Sequence, residues 1–136
     1  MVFLDTSIWV YGLLVQDKGK HARAQKIIAD ALQGDGYAIS TQVLAEYANV
    51  MLRKAGKSAR ETMACLECME LVGKIVPVDV ALAKRAVEVQ SLYGLQFYDA
   101  QIVAAAECAG CAELWSEDLG DGQSYCGVRC MNPLRG

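Results

Sequence analysis

The sequence predicts an α/β chain whose 136 residues form a single domain, a three-layer α/β/α sandwich with a central parallel sheet of four or five short strands. Two observations predict it. Short apolar runs alternate along the whole chain with segments whose apolar residues recur at helical spacing. The runs lie too far apart for tight hairpins, so neighbouring strands should be parallel, with right-handed crossovers placing helices on both faces. No repeat, linker or low-complexity tract interrupts the pattern.

Val2 to Leu4 reads as the first strand, stopped by Asp5-Thr6-Ser7, residues that favour caps and turns, before an apolar helix from Ile8 to Val15. Asp17 to Gly19 reads as a polar loop. His21 to Leu32 carries Ala24, Ile27, Ile28 and Ala31 at helical spacing until Gly34 and Gly36 end it, and Tyr37 to Ile39 is a second strand. Ser40 or Thr41 caps a helix to about Ala55, and Gly56 breaks it. Ser58 with Glu61 three residues later is a capping box opening a further helix to Gly73. Lys74 to Val78 is a third strand, and Asp79 caps a helix to about Tyr93. Another helix runs from Tyr98 to Ala109, closed by Gly110. Ala112 to Trp115 is a fourth strand, Ser116 to Gly127 a Gly- and Asp-rich loop, and Val128 to Met131 a fifth strand.

Composition excludes several classes. A hydrophobic fraction of 54% and only two Pro exclude a disordered chain. The longest apolar run, Ile8 to Val15, falls far short of the ~20 residues of a membrane crossing, and no basic leader precedes it, so a cytoplasmic protein without a membrane partner is expected. There the six Cys should be reduced thiols. A net charge of −3 argues against a globally basic nucleic-acid binder, so a polyanion site must be local or bring its own cations. With His21 the only His, set among Lys18, Lys20 and Arg23, a nucleophile–His triad has no support. No phosphate-binding Gly-rich loop is followed by Lys and Ser or Thr.

Ligands of an open parallel sheet bind outside the carboxyl ends of its strands. Asp5 stands there, although it could serve simply as an N-cap. Asp99 lies on the apolar stripe of Ile102, Val103 and Ala106, and stabilisation of the helix's first turn would explain a charge there but not its face. Glu46 borders the stripe of Val43, Tyr47 and Val50. Asp118 and Asp121 lie in the loop after the fourth strand, where turn formation is the alternative. Other acids, including Glu61, Glu107 and Glu113, read as solvated helix positions or ends. Taken jointly, acids from four separated segments would converge at one end of the sheet, where they could not all stay ionised without cations. Oxygen-only acidic sites suit Mg²⁺ or Mn²⁺, the equipment of phosphodiester hydrolysis.

The blocks Phe3-Leu4-Asp5-Thr6-Ser7, Thr41-Gln42-Val43-Leu44-Ala45-Glu46, Phe97-Tyr98-Asp99-Ala100-Gln101-Ile102 and Trp115-Ser116-Glu117-Asp118-Leu119 give the chain, across nearly its whole length, a resemblance to PIN-domain ribonucleases of the VapC toxin type. The resemblance implies a metal-dependent endoribonuclease with Asp5, Glu46, Asp99 and Asp118 as its catalytic and metal-binding acids. Ser116 resembles the hydroxyl residue that hydrogen-bonds the first acid, with Thr6 and Asp121 in support. Products with 5′-phosphate and 3′-hydroxyl ends, a small antitoxin partner and a homodimer are implied in the same way. Where many relatives have Thr and Asn, this chain has Ser116 and Asp118 and adds Asp121, so Glu117, Asp118 and Asp121 all remain open as the fourth ligand, Asp118 ranking first.

Basic residues at Lys18, Lys20, Arg23 and Lys26, and at Arg53, Lys54, Lys57 and Arg60, are solvated helix ends unless they flank the acidic cleft and position phosphates. Arg53 and Lys54 are the candidate substrate contacts. Two readings without catalysis stand beside the nuclease. One is a catalytically weak or inactive PIN-like interaction protein. The other is a zinc module built on Cys65 and Cys68, Cys108 and Cys111, or Cys126 and Cys130. Against zinc, Cys65, Cys68, Met69 and Val72 make one helical stripe, as expected of thiols packing as small hydrophobes.

Overall fold

The computed structural model describes residues 1–34 and 36–135. In chain order its elements are β1 (Val2–Leu4), α1 (Thr6–Leu13), α2 (Lys18–Gln33), β2 (Tyr37–Ser40), α3 (Thr41–Arg53), α4 (Ala59–Val72), β3 (Lys74–Val76), α5 (Val80–Tyr93), α6 (Phe97–Cys108), β4 (Glu113–Trp115), β5 (Ser124–Tyr125) and β6 (Val128–Met131). The strands form one sheet in the order β3-β2-β1-β4-β6-β5, with parallel pairing throughout except between β5 and β6. The α/β sandwich is therefore as the sequence predicts, and the α6 sequence shows why its layers sit close. Ala100 to Ala106 is buried without a break, and four alanines let the helix approach β2, β4 and β6. The polar member of that run, Gln101, donates to Gln42 Oε1 at 2.8 Å. Helix α5 packs on α6, α1 lies against α2 and α3, and α4 lies against α3.

Several boundaries move for identifiable reasons. The third strand stops at Val76, because Pro77 has no N–H for a ladder. Val78 N is instead satisfied by Thr41 Oγ1 at 3.0 Å. The segment expected as a loop at Asp17 to Gly19 is the start of α2, capped by the Asp17 carboxylate accepting from Lys20 N. The capping box of Ser58 and Glu61 forms in both directions. Glu107, expected to be merely solvated, binds Arg85 through both carboxylate oxygens, at 2.8 and 3.0 Å. The cysteine stripe is only half interior: Met69 is buried and Cys65 partly so, but Cys68 and Val72 are exposed.

A sixth strand is the larger correction. The sequence predicts a loop over Ser116 to Gly127, whereas Ser124–Tyr125 pairs antiparallel with β6 across the two-residue turn Cys126-Gly127. Both turn residues have positive φ, 52° and 79°, the geometry of a type I′ hairpin turn. Asn-Gly is the usual signal for that turn, and Cys-Gly conceals it. Cys126→Asn is therefore expected to stabilise the fold by about 1 kcal/mol, since Asn tolerates the left-handed region and Cys does not. A higher urea midpoint at unchanged slope is the outcome to look for. Gly73 shows the opposite constraint: an added Cβ would collide with Tyr37 Cε2, whose buried ring packs edge-on to Trp9 while its hydroxyl donates to Met69 O. Gly73→Ala should cost about 1–3 kcal/mol by overpacking, readable as a lowered melting temperature.

Among the described residues no helix is long and apolar enough to cross a membrane.

Candidate functional site

Register brings the first acid to its partner. Leu4 pairs with Trp115, so the next residues, Asp5 and Ser116, leave adjacent parallel strands at the same level. Asp5 N donates to Trp115 O at 3.0 Å and Ser116 N to Met131 O at 2.9 Å, extending the ladder by one residue. Beyond it the Asp5 side chain divides its work. Oδ1 accepts from Thr6 N at 2.7 Å, capping α1, and Oδ2 accepts from Ser116 Oγ at 2.6 Å. Ser116 Oγ in turn accepts from Asp118 N at 3.0 Å. Asp5 and Ser116 are both buried. The cap alternative and the site alternative for Asp5 are thus compatible, since one carboxylate does both.

The other acids arrive on helix starts and a loop at the same edge of the sheet. Ser40, last residue of β2, caps α3 and places Glu46 on its second turn, where Glu46 Oε1 accepts from Thr6 Oγ1 at 3.1 Å. Asp99 lies in the first turn of α6, whose cap is the Gln96 side chain accepting from Asp99 N. Asp118 follows Ser116 in the loop after β4. Burial pushes the Asp5 carboxyl up to about 6, the Ser116 and Thr6 hydrogen bonds oppose this, and the charges of Asp118 and Glu46 add to it. Asp99 is raised by burial and then by Asp118 and Glu46, and Asp118 by burial and then by Glu117. The named acids therefore feel one another's charge.

Not every candidate joins them. Asp121 Oδ1 accepts from Asn132 N and its Oδ2 pairs with Arg135 at 3.3 Å, so it ties the chain beyond β6 to the loop. Glu117 turns to Lys20 and Tyr11, with Lys20 Nζ 2.6 Å from Oε2 and the Tyr11 hydroxyl donating to Oε1 at 2.9 Å. A cleft of about 520 Å³ beside the acids is lined by Thr6, Tyr11, Glu46, Lys54, Glu117 and Asp118 among others. Lys54 reaches it, whereas Arg53 is not among its lining residues. Sequence reasoning passed over Tyr11 and Ser7. Their four-residue spacing puts both on one face of α1, which was the available signal, and there Ser7 Oγ accepts from Glu117 N at 3.1 Å.

The fit to a divalent cation rests on the donor set. Carboxylate oxygens suit a hard cation, and three acids raised first by burial and then by neighbouring carboxylates carry a cost of ionisation that such an ion would offset. Among the described residues no three Asp, Glu, His or Cys side chains are already gathered closely enough to hold an ion. Glu46 and Asp118 line the cleft, and with Asp5 held by its two hydrogen bonds it is the other acids whose side chains would have to turn towards it to hold an ion.

The PIN domain family model matches residues 2–120 of this chain. Among solved structures, the chain is similar to the sarcin-ricin loop cleaving toxin VapC20 of Mycobacterium tuberculosis, with 22% identity over 95% of this chain and 99% of that one and a TM-score of 0.70. A toxin–antitoxin complex from Klebsiella pneumoniae matches at 24% identity, 98% of each chain and 0.68. VapBC2 of Rickettsia felis, bound to a promoter DNA fragment, matches at 17% identity, 97% and 98% coverage and 0.67. At these identities the structures establish a shared fold. No curated protein matches the sequence.

Proposed function

Because this chain belongs to the PIN domain family, we propose that it is a metal-dependent endoribonuclease, the toxin of a type II toxin–antitoxin system, with Asp5, Glu46, Asp99 and Asp118 as catalytic metal-binding acids. The observation that carries this reading is that acids from four separate segments lie near enough at one end of the sheet to feel one another's charge, with Asp5 raised to about 6, chiefly by burial. Mg²⁺ or Mn²⁺ bound there would polarise the phosphoryl group and make water a better nucleophile.

The chain's own residues prepare the site. Thr6 N and Ser116 Oγ each hold one oxygen of Asp5, so its carboxylate cannot rotate. Thr6 Oγ1 holds Glu46 towards the same centre. Lys54, in the cleft, draws the RNA backbone against an otherwise acidic wall. Water attacking phosphorus in line would form a new P–O bond as the P–O3′ bond breaks, leaving phosphate on the 5′ end of one product and, once the departing oxygen takes up a proton, a hydroxyl on the 3′ end of the other.

The proposed partners are RNA and a small antitoxin, in the cytoplasm; the Klebsiella relative's occurrence in a toxin–antitoxin complex supports the second. A homodimer is proposed as the assembly. Val80 and Val87, seven residues apart on α5 and exposed, would suit such a contact.

Purified protein should cut RNA when Mg²⁺ or Mn²⁺ is added and fall silent in EDTA. Cleavage that persists with chelator, or protein that never cuts RNA yet holds a protein partner tightly, hands the chain to the interaction-protein reading.

A further inference from the structure

Glu117 belongs to no part of the acid cluster's hydrogen bonding, yet it lies on the wall of the same cleft, held by two donors from two different helices. Lys20 Nζ, from α2, stands 2.6 Å from one carboxylate oxygen, and the Tyr11 hydroxyl, from α1, donates to the other at 2.9 Å. We propose that Lys20 and Tyr11 form a binding subsite for a backbone phosphate of single-stranded RNA, which Glu117 fills in the free protein as an internal stand-in.

The donors are fixed before any ligand arrives. Lys20 lies over the Tyr11 ring, 4.9 Å from its centre, so each orients the other. The Tyr11 carbonyl accepts from His21 Nδ1 at 2.9 Å, tying α1 to α2 at this point, and its acceptance means that Nδ1 carries the proton. A cation and a hydroxyl aimed at two oxygens of one anionic group also match the two non-bridging oxygens of a phosphodiester. Glu117 can yield its place because its backbone is anchored separately, through N–H donation to Ser7 Oγ. The ion pair it would give up is partly exposed, with side-chain exposures of 32% and 24%, and pairs of that kind are weak. The lining of the cleft explains why such a device is useful. Glu46, Asp17, Glu117 and Asp118 all face it, against Lys54 as its one lining cation among the described residues. Release by Glu117 gives the RNA Lys20 as a second cation, and re-pairing with Glu117 neutralises Lys20 when RNA is absent.

This inference rests on the RNA reading of the cleft, and its test separates the two. Binding of a fluorescein-labelled twelve-residue oligouridylate is measured in EDTA across 50–300 mM KCl, for wild type, Glu117→Gln, Lys20→Met and the double variant. Each phosphate contact on a single strand contributes about 0.7 to the slope of log affinity against log salt, which is roughly fivefold at 0.1 M. Glu117→Gln should therefore bind about fivefold more tightly with a slope steeper by ~0.7. Lys20→Met in that background should remove both changes. Gln keeps the shape and a hydrogen-bonding oxygen, and unchanged melting curves will show that its fold is intact. An unchanged slope, weaker binding, a gain that survives Lys20→Met, or no binding by Glu117→Gln at 50 mM salt overturns the subsite. Metal-dependent RNA cleavage by wild type is scored separately. Cleavage without the slope change leaves the nuclease and removes the subsite, and the slope change without cleavage does the reverse.

Discussion

Asp5→Asn is expected to lower RNA cleavage by at least about a thousandfold and, in EDTA at pH 7, to make the protein more stable. The activity loss follows from removing one of the charges that would hold the cation, whose electrostatic contribution to phosphoryl transfer amounts to several kcal/mol, or about tenfold per 1.4 kcal/mol. The stability gain follows from burial. The Asp5 carboxyl lies at about 6 in the fold against an ordinary 3.8, so the folded state binds its proton more tightly than the unfolded one. Well below pH 3.8 both states are protonated and nothing is lost. As pH rises to 6 and beyond, the unfolded carboxyl ionises first, and folding becomes less favourable by about 3 kcal/mol. Asn never ionises and escapes that loss. It keeps the α1 cap through its amide oxygen, but its amide nitrogen meets Ser116 Oγ, which already accepts from Asp118 N, so the serine hydroxyl loses its acceptor, at about 1 kcal/mol. A net gain of about 2 kcal/mol at pH 7, closing as pH falls towards 4, is the pattern to seek in urea unfolding. A variant less stable than wild type at pH 7 would mean that the ionised cap outweighs the buried charge.

Metal should stabilise wild type strongly and Asp99→Asn weakly. If only the native state binds the ion, a hundredfold excess over the dissociation constant contributes about 2.7 kcal/mol. Asp99 is raised by burial and by the charges of Asp118 and Glu46, so its neutral replacement relieves repulsion in the metal-free protein. Its first-turn place on α6 offsets part of that relief, because an anion there is favoured by about 0.3–1 kcal/mol. Asp99→Asn should therefore lose cleavage, match or exceed wild-type stability in EDTA, and gain less on adding Mg²⁺ or Mn²⁺ at fixed ionic strength. A variant much weaker in EDTA with a full metal response would make Asp99 a structural cap.

The parallel sheet was legible because strand ends and helix starts carry local chemistry. Asp5, Ser40, Ser58 and Asp79 cap the helices they precede through their own side chains, interactions spanning three residues or fewer. The acids were legible as exceptions to that chemistry, Asp99 above all, which sits on a face that packing should have made apolar. What escaped depends on partners distant in sequence. Glu107 looks solvated until Arg85, 22 residues away, is brought to it from α5. Glu117 looks like a third candidate ligand until Lys20 and Tyr11 claim it, and nothing near Glu117 announces either. The hairpin was hidden for a different reason, a turn whose first residue is not one that such turns favour.

The bond between Ser116 Oγ and Asp5 joins residues 111 positions apart, and this has a consequence for the order in which a newly made chain can finish. At the usual 5–20 residues per second, Ser116 is added roughly 6 to 22 s after Asp5. Until then β1 lacks its neighbour β4, and the acid that must end up deepest has only its own helix start to bind. The wall behind Ser116 comes later still, because its N–H waits for the carbonyl of Met131 on β6. A growing chain can thus form α1 and α2 early while the proposed cutting centre stays unassembled. Loops of that length close slowly compared with local helices, so the centre should also be the last region to gain amide-exchange protection on refolding and among the first to lose it when the β4–β6 edge opens. For a protein proposed to destroy RNA, the template and the machinery reading it are exposed to a competent enzyme only after most of the chain has left them.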